Sequence, residues 1–406
     1  AHSGLPAFSY SPLDGPPEAQ QIEVSRGDLA QANGLSLHPN GTWMGTADDA
    51  GMALWPLARR YSRKIPHPGN TVMGVAFAPD GSWLASSGNG VKIWPLQGAS
   101  PARDQIGYDK SGLGLAVSPD GRKLAVGHGR GETALIALDG SPPIGLEGFV
   151  SQTWGVSFSR DGRLVAAVGG KAAAEDRVIR IWDAQSGAEV KVLEIGEMPF
   201  INTIQFVEDN QLLAVSESGL VRWDVESGER TVLLPGTIGG FAASEDGRRV
   251  LLGQAEKDYQ GPRKLVLLDV DSDSSIVLDR FGDKIRVVAC DATASVVATS
   301  DVDGEIRVGR VDGGVPHLLL GSEGTNWSLA IDPLGRWVVS GDDKGTIRLW
   351  PIPDLSKPPL HTLPREELIA KLKTLTNLRV VRDPESATGW TLTHDPFPGW
   401  ETVPTW

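Results

Sequence analysis

Asn326–Ile352 reads NWSLAIDPLGRWVVSGDDKGTIRLWPI, and its punctuation decides the fold. A short apolar run enters a turn at Pro333-Leu334-Gly335. A second run follows through Trp337-Val338-Val339, then a turn at Asp342-Asp343-Lys344-Gly345, then a third run ending in Trp350. Runs this short, rich in β-branched and aromatic residues, are strands with buried faces. The breaks between them are hairpin turns. Proline presets φ, aspartate bonds its own backbone and glycine accepts positive φ.

The same pattern recurs seven more times, at Leu35–Leu57, Val72–Leu96, Leu113–Leu138, Trp154–Ala184, Ile201–Val225, Ile238–Val270 and Ile285–Val308. The last is the most degenerate, with Asp291-Ala292-Thr293 at its turn. Third strands recur at roughly 39 to 46 residues, the period of a four-stranded propeller blade. A three-stranded core with two apolar faces cannot stand alone, and stacking copies around an axis buries both faces. An all-β propeller of eight blades is therefore expected, the alternative being seven blades with one copy outside the ring. Fourth, outer strands are expected at Tyr61–Ile65, Glu189–Ile195, Thr231–Leu234, Ser275–Leu278, His317–Leu320 and Leu360–Leu363. Gln21-Ile22-Glu23-Val24 is expected to close the ring beside the last blade.

Over roughly 21–363 the chain resembles the WD-repeat β-propellers. The naming dipeptide stands at Trp182-Asp183 and Trp223-Asp224; Trp-Pro replaces it at Trp55-Pro56, Trp94-Pro95 and Trp350-Pro351. The tight-turn aspartate survives at Asp48 or Asp49, Asp301 or Asp303, and Asp342 or Asp343, while His67 is the one relic of the family's glycine-histidine. Three parts are expected: an N-terminal extension over 1–20, the propeller over 21–363, and a tail over 364–406 packed on it. In the tail, Pro364-Arg365-Glu366-Glu367 opens a short helix whose last turns carry Lys371 and Lys373. Beyond it lies an irregular aromatic stretch holding Trp390, Phe397, Trp400 and Trp406. Its Leu375-Thr376-Asn377-Leu378-Arg379 and Phe397-Pro398-Gly399-Trp400 resemble the ends of propeller regions in large bacterial signalling proteins, several of which carry a serine/threonine kinase or NTPase module.

Composition narrows the function. A net charge of −13 argues against sequence-independent nucleic-acid binding and against docking on an anionic membrane. It reads as ordinary solubility rather than as charge steering of a partner. No run of eighteen apolar residues exists to insert in a membrane. Ala1-His2-Ser3-Gly4 does not read as a signal peptide, so the chain is expected to begin inside a longer protein, or after a removed leader, in the cytoplasm. The single cysteine, Cys290, sits within a strand and reads as a small buried apolar residue.

Chemistry is scarcely announced. Gly127-His128-Gly129-Arg130-Gly131 is glycine-rich but joins two strands and opens no helix, so it is a turn and not a phosphate loop. The seven histidines have no ligand spacing. Asp301-Val302-Asp303-Gly304-Glu305 occupies a hairpin slot and lacks the distant glutamate of a calcium loop. No catalytic residue, metal or cofactor is expected. The expectation is a non-catalytic scaffold for a protein or peptide, the alternative being an enzyme or small-ligand binder at the channel mouth.

The family resemblance places the entry to each first strand, and the turn between second and third strands, on one top face. There it implies two long loops, 170–177 with Lys171 and Asp176, and 254–264 with Lys257, Tyr259 and Arg263. It adds the strand entrances Asn70, Gln152, Trp154, Asn202, Lys284, Arg286, Asn326 and Trp327. Trp154 and Trp327 either anchor a partner or pack between blades. The strand-end tryptophans Trp55, Trp94, Trp182, Trp223 and Trp350 are blade-to-blade core.

Overall fold

A computed structural model describes residues 62–67, 71–96, 112–131, 133–169, 176–196, 201–208, 210–216, 218–255, 261–375 and 378–384, with strand segments 7–8, 24–25, 34–37, 43–48, 51–56, 103–104 and 390–394. They fall into two compact units. The larger, Ser62–Ser356, carries seven four-stranded antiparallel sheets among the described residues. Its inner strands neighbour one another in sequence order, and that of blade seven, Asn326–Ile331, returns to that of blade one, Gly74–Phe77.

The ring therefore has seven blades, and the expectation of eight is overturned. Blade seven packs directly on blade one. The Val72 amide donates to the Asp342 carbonyl at 2.9 Å, and Arg336 Nη2 donates to the Gly81 carbonyl at 2.6 Å. Val72, Phe77 and Leu84 share one core with Val339, Ile347 and Leu349. Each such buried side chain contributes about 1.5–3 kcal/mol, and the shared core leaves no slot for an eighth sheet. The copy outside is the first and not the most degenerate one: Gly34–Leu37, Trp43–Asp48 and Gly51–Pro56 make a three-stranded sheet of their own in the smaller unit.

Ring closure also differs from expectation. Arg63–Pro66 is not the outer strand of the copy before it but the fourth strand of blade seven, with Ile65 opposite Ile347 and Lys64 opposite Arg348. Val24–Ser25 pairs with Ala7–Phe8 instead of closing the ring. The outer strands expected for blades three to six are present, as Glu189–Glu194, Arg230–Pro235, Ser274–Val277 and His317–Leu319. Leu360–Thr362 is a short 3-10 turn rather than a strand.

The strands follow from their side chains. Second strands such as Leu164–Gly169 are buried on both faces, as continuous apolar runs require. Trp182 and Trp223 are each 1 % exposed, lodged between neighbouring blades. The Trp94 and Trp350 indoles donate to Ser86 Oγ at 2.8 Å and Ser340 Oγ at 3.2 Å, so their polar edges are satisfied within the core. The first turn of several blades is locked by a serine. Ser118 Oγ donates to Asp120, whose carboxylate accepts the Arg122 amide, while Gly121 takes φ +68°.

The smaller unit includes Ile22–Tyr61 and Lys357–Trp406. Its helix spans Arg365–Leu375 as the sequence predicts. The aromatic tail is not wholly irregular, since Leu378–Arg382 pairs antiparallel with Trp390–His394. No helix among the described residues is long and apolar enough to cross a membrane.

Candidate functional site

The seven inner strands enclose a cavity of about 1110 Å³ at the end of the channel where those strands begin. What shapes its wall is a repeated irregularity. In six of the seven inner strands the pairing register slips near the first residues, as between Thr153 and Gly155, Ile201 and Thr203, Ile285 and Val287, and Asn326 and Ser328. A bulge sets an extra residue opposite one partner and re-aims its side chain. The residues inside those four slips are Trp154, Asn202, Arg286 and Trp327.

Glycines make the bulges possible, because the inner strands meet backbone to backbone. A Cβ on Gly240 would lie 2.8 Å from the Arg286 carbonyl, and one on Gly114 would collide with the Trp154 carbonyl. These two glycines seat the bulges that carry Arg286 and Trp154.

Four ionisable residues line the cavity: Arg263, Lys284, Arg286 and Asp283. The Arg286 guanidinium lies 3.9 Å from the ring centroid of Trp327, which is 39 % exposed. Arg263 opens the third strand of blade five, and its amide donates to the Asp283 carbonyl. Its side chain lies over Gly239, where a Cβ would come within 3.0 to 3.2 Å of Arg263 Cδ, Nε and Cζ. Lys284 bridges to Arg263 through the backbone and pairs its ammonium with Asp303 at 3.0 Å. That hydrogen bond raises the Lys284 pKa. Both side chains are exposed, so water competes for the pair. Trp154 is half-buried at the rim, and Gln152 beside it is exposed.

Other expected site residues serve the frame. Asn326 is fully buried, donating to Ser300 Oγ at 2.9 Å and to the Gly304 carbonyl at 3.1 Å. Asp176 is also fully buried. It accepts the amides of Val150 and Ser151 at 2.9 and 2.7 Å, pinning the approach to the inner strand of blade three. Lys171, Lys257, Tyr259, Asn70 and the side chain of Asn202 lie outside the described residues.

Thr203, Gln205 and Asp283 also belong to the wall, beyond the positions expected from sequence. Gln205 ties blade four to blade five, its amide donating to the Ala243 carbonyl and accepting the Ala243 amide, both at 3.1 Å. No local signal marks it, because its partner stands 38 residues away. Among the described residues no three potential metal ligands gather. Burial pushes the Cys290 thiol up to about 12, far from a reactive thiolate.

Comparison with family models matches residues 60–95, 145–183 and 322–351 to "WD domain, G-beta repeat". These stretches include the closing strand with most of blade one, and much of blades three and seven. Among curated proteins, an uncharacterized WD repeat-containing protein of Synechocystis sp. is 29% identical over 124 residues, 30% of this chain and 34% of that protein. WD repeat-containing protein SL1-17 of Schistosoma mansoni is 29% identical over 142 residues, 34% of this chain and 46% of that protein. The chain thus spans less than half the length of either relative. Among solved structures, U3-55K aligns with a TM-score of 0.60 at 14% identity, and the RRP9 WD40 repeats with 0.61 at 15%. Each alignment covers 72% of this chain and 98% of the other, and at such identity the likeness is one of fold.

Proposed function

We propose that this chain, a member of the WD-repeat β-propeller family, is a non-catalytic scaffold that holds a protein or peptide at its channel mouth. The observation that carries this reading is the set of bulges. Four strand-entrance positions are bulged, and three of them, Trp154, Arg286 and Trp327, line one cavity. Tryptophan and arginine are the residues that dominate binding energy at protein interfaces. A rigid ring presents them with little rearrangement on binding. The tail likeness described above supports placing the chain in a larger bacterial signalling protein.

A displayed library of random peptides, selected on the full chain, tests the reading. Selected peptides should lose about tenfold or more in affinity on the variant Trp154→Ala/Trp327→Ala, provided it keeps the parent's melting temperature. Peptides that bind parent and variant alike would remove the channel mouth as the site.

A further inference from the structure

The chain carries a net charge of −13, yet among the described residues the cavity at the mouth is lined by three cations and a single carboxylate, with Asp303 beside it paired to Lys284. This local reversal of sign is held in place by the fold. Arg263 belongs to a third strand and lies at the cavity because Gly239, on the inner strand beneath, has no side chain in the way. Arg286 is carried by a bulge that sets its guanidinium over the Trp327 ring, 3.9 Å from the centroid. Lys284 is bridged to Arg263 through the backbone and two residues from Arg286.

Resting on the scaffold reading above, we infer that the mouth recognises an acidic peptide segment of a partner protein. Aspartate or glutamate side chains are held by Arg263, Lys284 and Arg286, and a neighbouring apolar side chain sits against Trp154 and Trp327. The Trp327 ring confines the position of the Arg286 guanidinium through a cation–π contact. Guanidinium N–H groups form charge-assisted, bidentate bonds to a carboxylate. Lys284 holds Asp303 in an exposed pair, and an incoming carboxylate exchanges with it at little cost. Leu113, Met73 and Val75 supply apolar wall that a side chain can fill. Long-range repulsion of a polyphosphate by an acidic chain favours a short acidic peptide over nucleic acid.

The test uses the full chain and the peptides selected on it. Those lost on Trp154→Ala/Trp327→Ala should be enriched in aspartate or glutamate next to an apolar residue. A synthetic representative should weaken about tenfold on Arg286→Gln, on Lys284→Gln and on Arg263→Gln. Its affinity should fall steeply as sodium chloride rises from about 50 to about 500 mM. Lys284 is exposed, so its variant keeps the assay informative should Arg286→Gln fail to fold. Mouth-dependent peptides without acidic bias, indifferent to the charge variants and to salt, would overturn the acidic specificity and leave the scaffold reading standing. Failure to select any mouth-dependent peptide would overturn both. Binding only when phosphoserine replaces the acidic residue, or tighter binding of a 12-nucleotide oligothymidine than of any selected peptide, would also overturn the carboxylate assignment.

Discussion

Asp342 shows how one side chain can be needed for its shape and tolerated for its charge. One of its oxygens, Oδ1, accepts the amides of Lys344 and Thr346 at 2.9 and 2.8 Å and so fixes the last tight turn of blade seven. Burial raises its pKa from 3.8, with Asp343 and Glu323 adding to the effect. A raised carboxyl pKa means the folded state holds the proton more firmly, so ionisation weakens the fold as pH rises from about 3.8 through the folded value. Asparagine keeps the accepting oxygen and removes the charge. Asp342→Asn should therefore melt at or above the parent temperature at pH 7, whereas Asp342→Leu should lose about 1–3 kcal/mol by stranding two turn amides. Calorimetry decides it, and equal losses for both would contradict the account. Gly240→Val should cost about 1–3 kcal/mol through collision with the Arg286 carbonyl. The residues of the mouth were only partly legible. Polar side chains at strand entrances look alike in sequence whether they face solvent, as Gln152 does, or are buried in the frame, as Asn326 is against the neighbouring blade and Asp176 within its own. Nor does periodicity reveal a bulge, which is a mismatch between two strands and not a property of one.

Strand existence was legible almost throughout, because apolar runs and Pro-Asp-Gly turns are local signals. Strand partnership was not. Arg63–Pro66 looks like the natural successor of Gly51–Pro56, yet it pairs with Thr346–Leu349 at the far end of the chain. That one exchange turns eight visible copies into seven blades. The element makes a sharp prediction. A chain of residues 62–356 contains every strand needed to close the ring, so it should unfold in one cooperative transition. A chain of residues 68–356 lacks the closing strand and exposes the edge at Thr346–Leu349. It should melt at least several degrees lower or associate through that edge. Thermal unfolding with light scattering distinguishes the two, and equal stability would deny the strand its role.

Across blades one to five, a turn aspartate in each blade shares one electrostatic setting. Hydroxyl groups of Ser82, Ser118 and Ser244 lower the carboxyl pKa values of Asp80, Asp120 and Asp246. The amide of Ser186 lowers Asp183, and that of Ser227 lowers Asp224. A depressed pKa contributes stability that is complete above the unfolded value of about 3.9 and is lost as pH falls through the folded value. The urea midpoint should therefore stay level between about pH 5 and 7 and drop below about pH 4, with a shallower drop in Asp120→Asn/Asp246→Asn. An unchanged slope in that variant would remove these turns as the cause.

Closure by Arg63–Pro66 also imposes a timetable. Ile65 must pair with Ile347, which lies 282 positions later in the chain. At about 5–20 residues per second, a ribosome needs roughly 14 to 56 seconds to cover that distance. Throughout that interval the early strand has left the ribosome while its partner has not been made. The last bond of the ring is thus a meeting between the oldest and newest parts of the nascent unit. Whatever shelters Lys64-Ile65 during that wait determines how much of the protein is finished as closed rings.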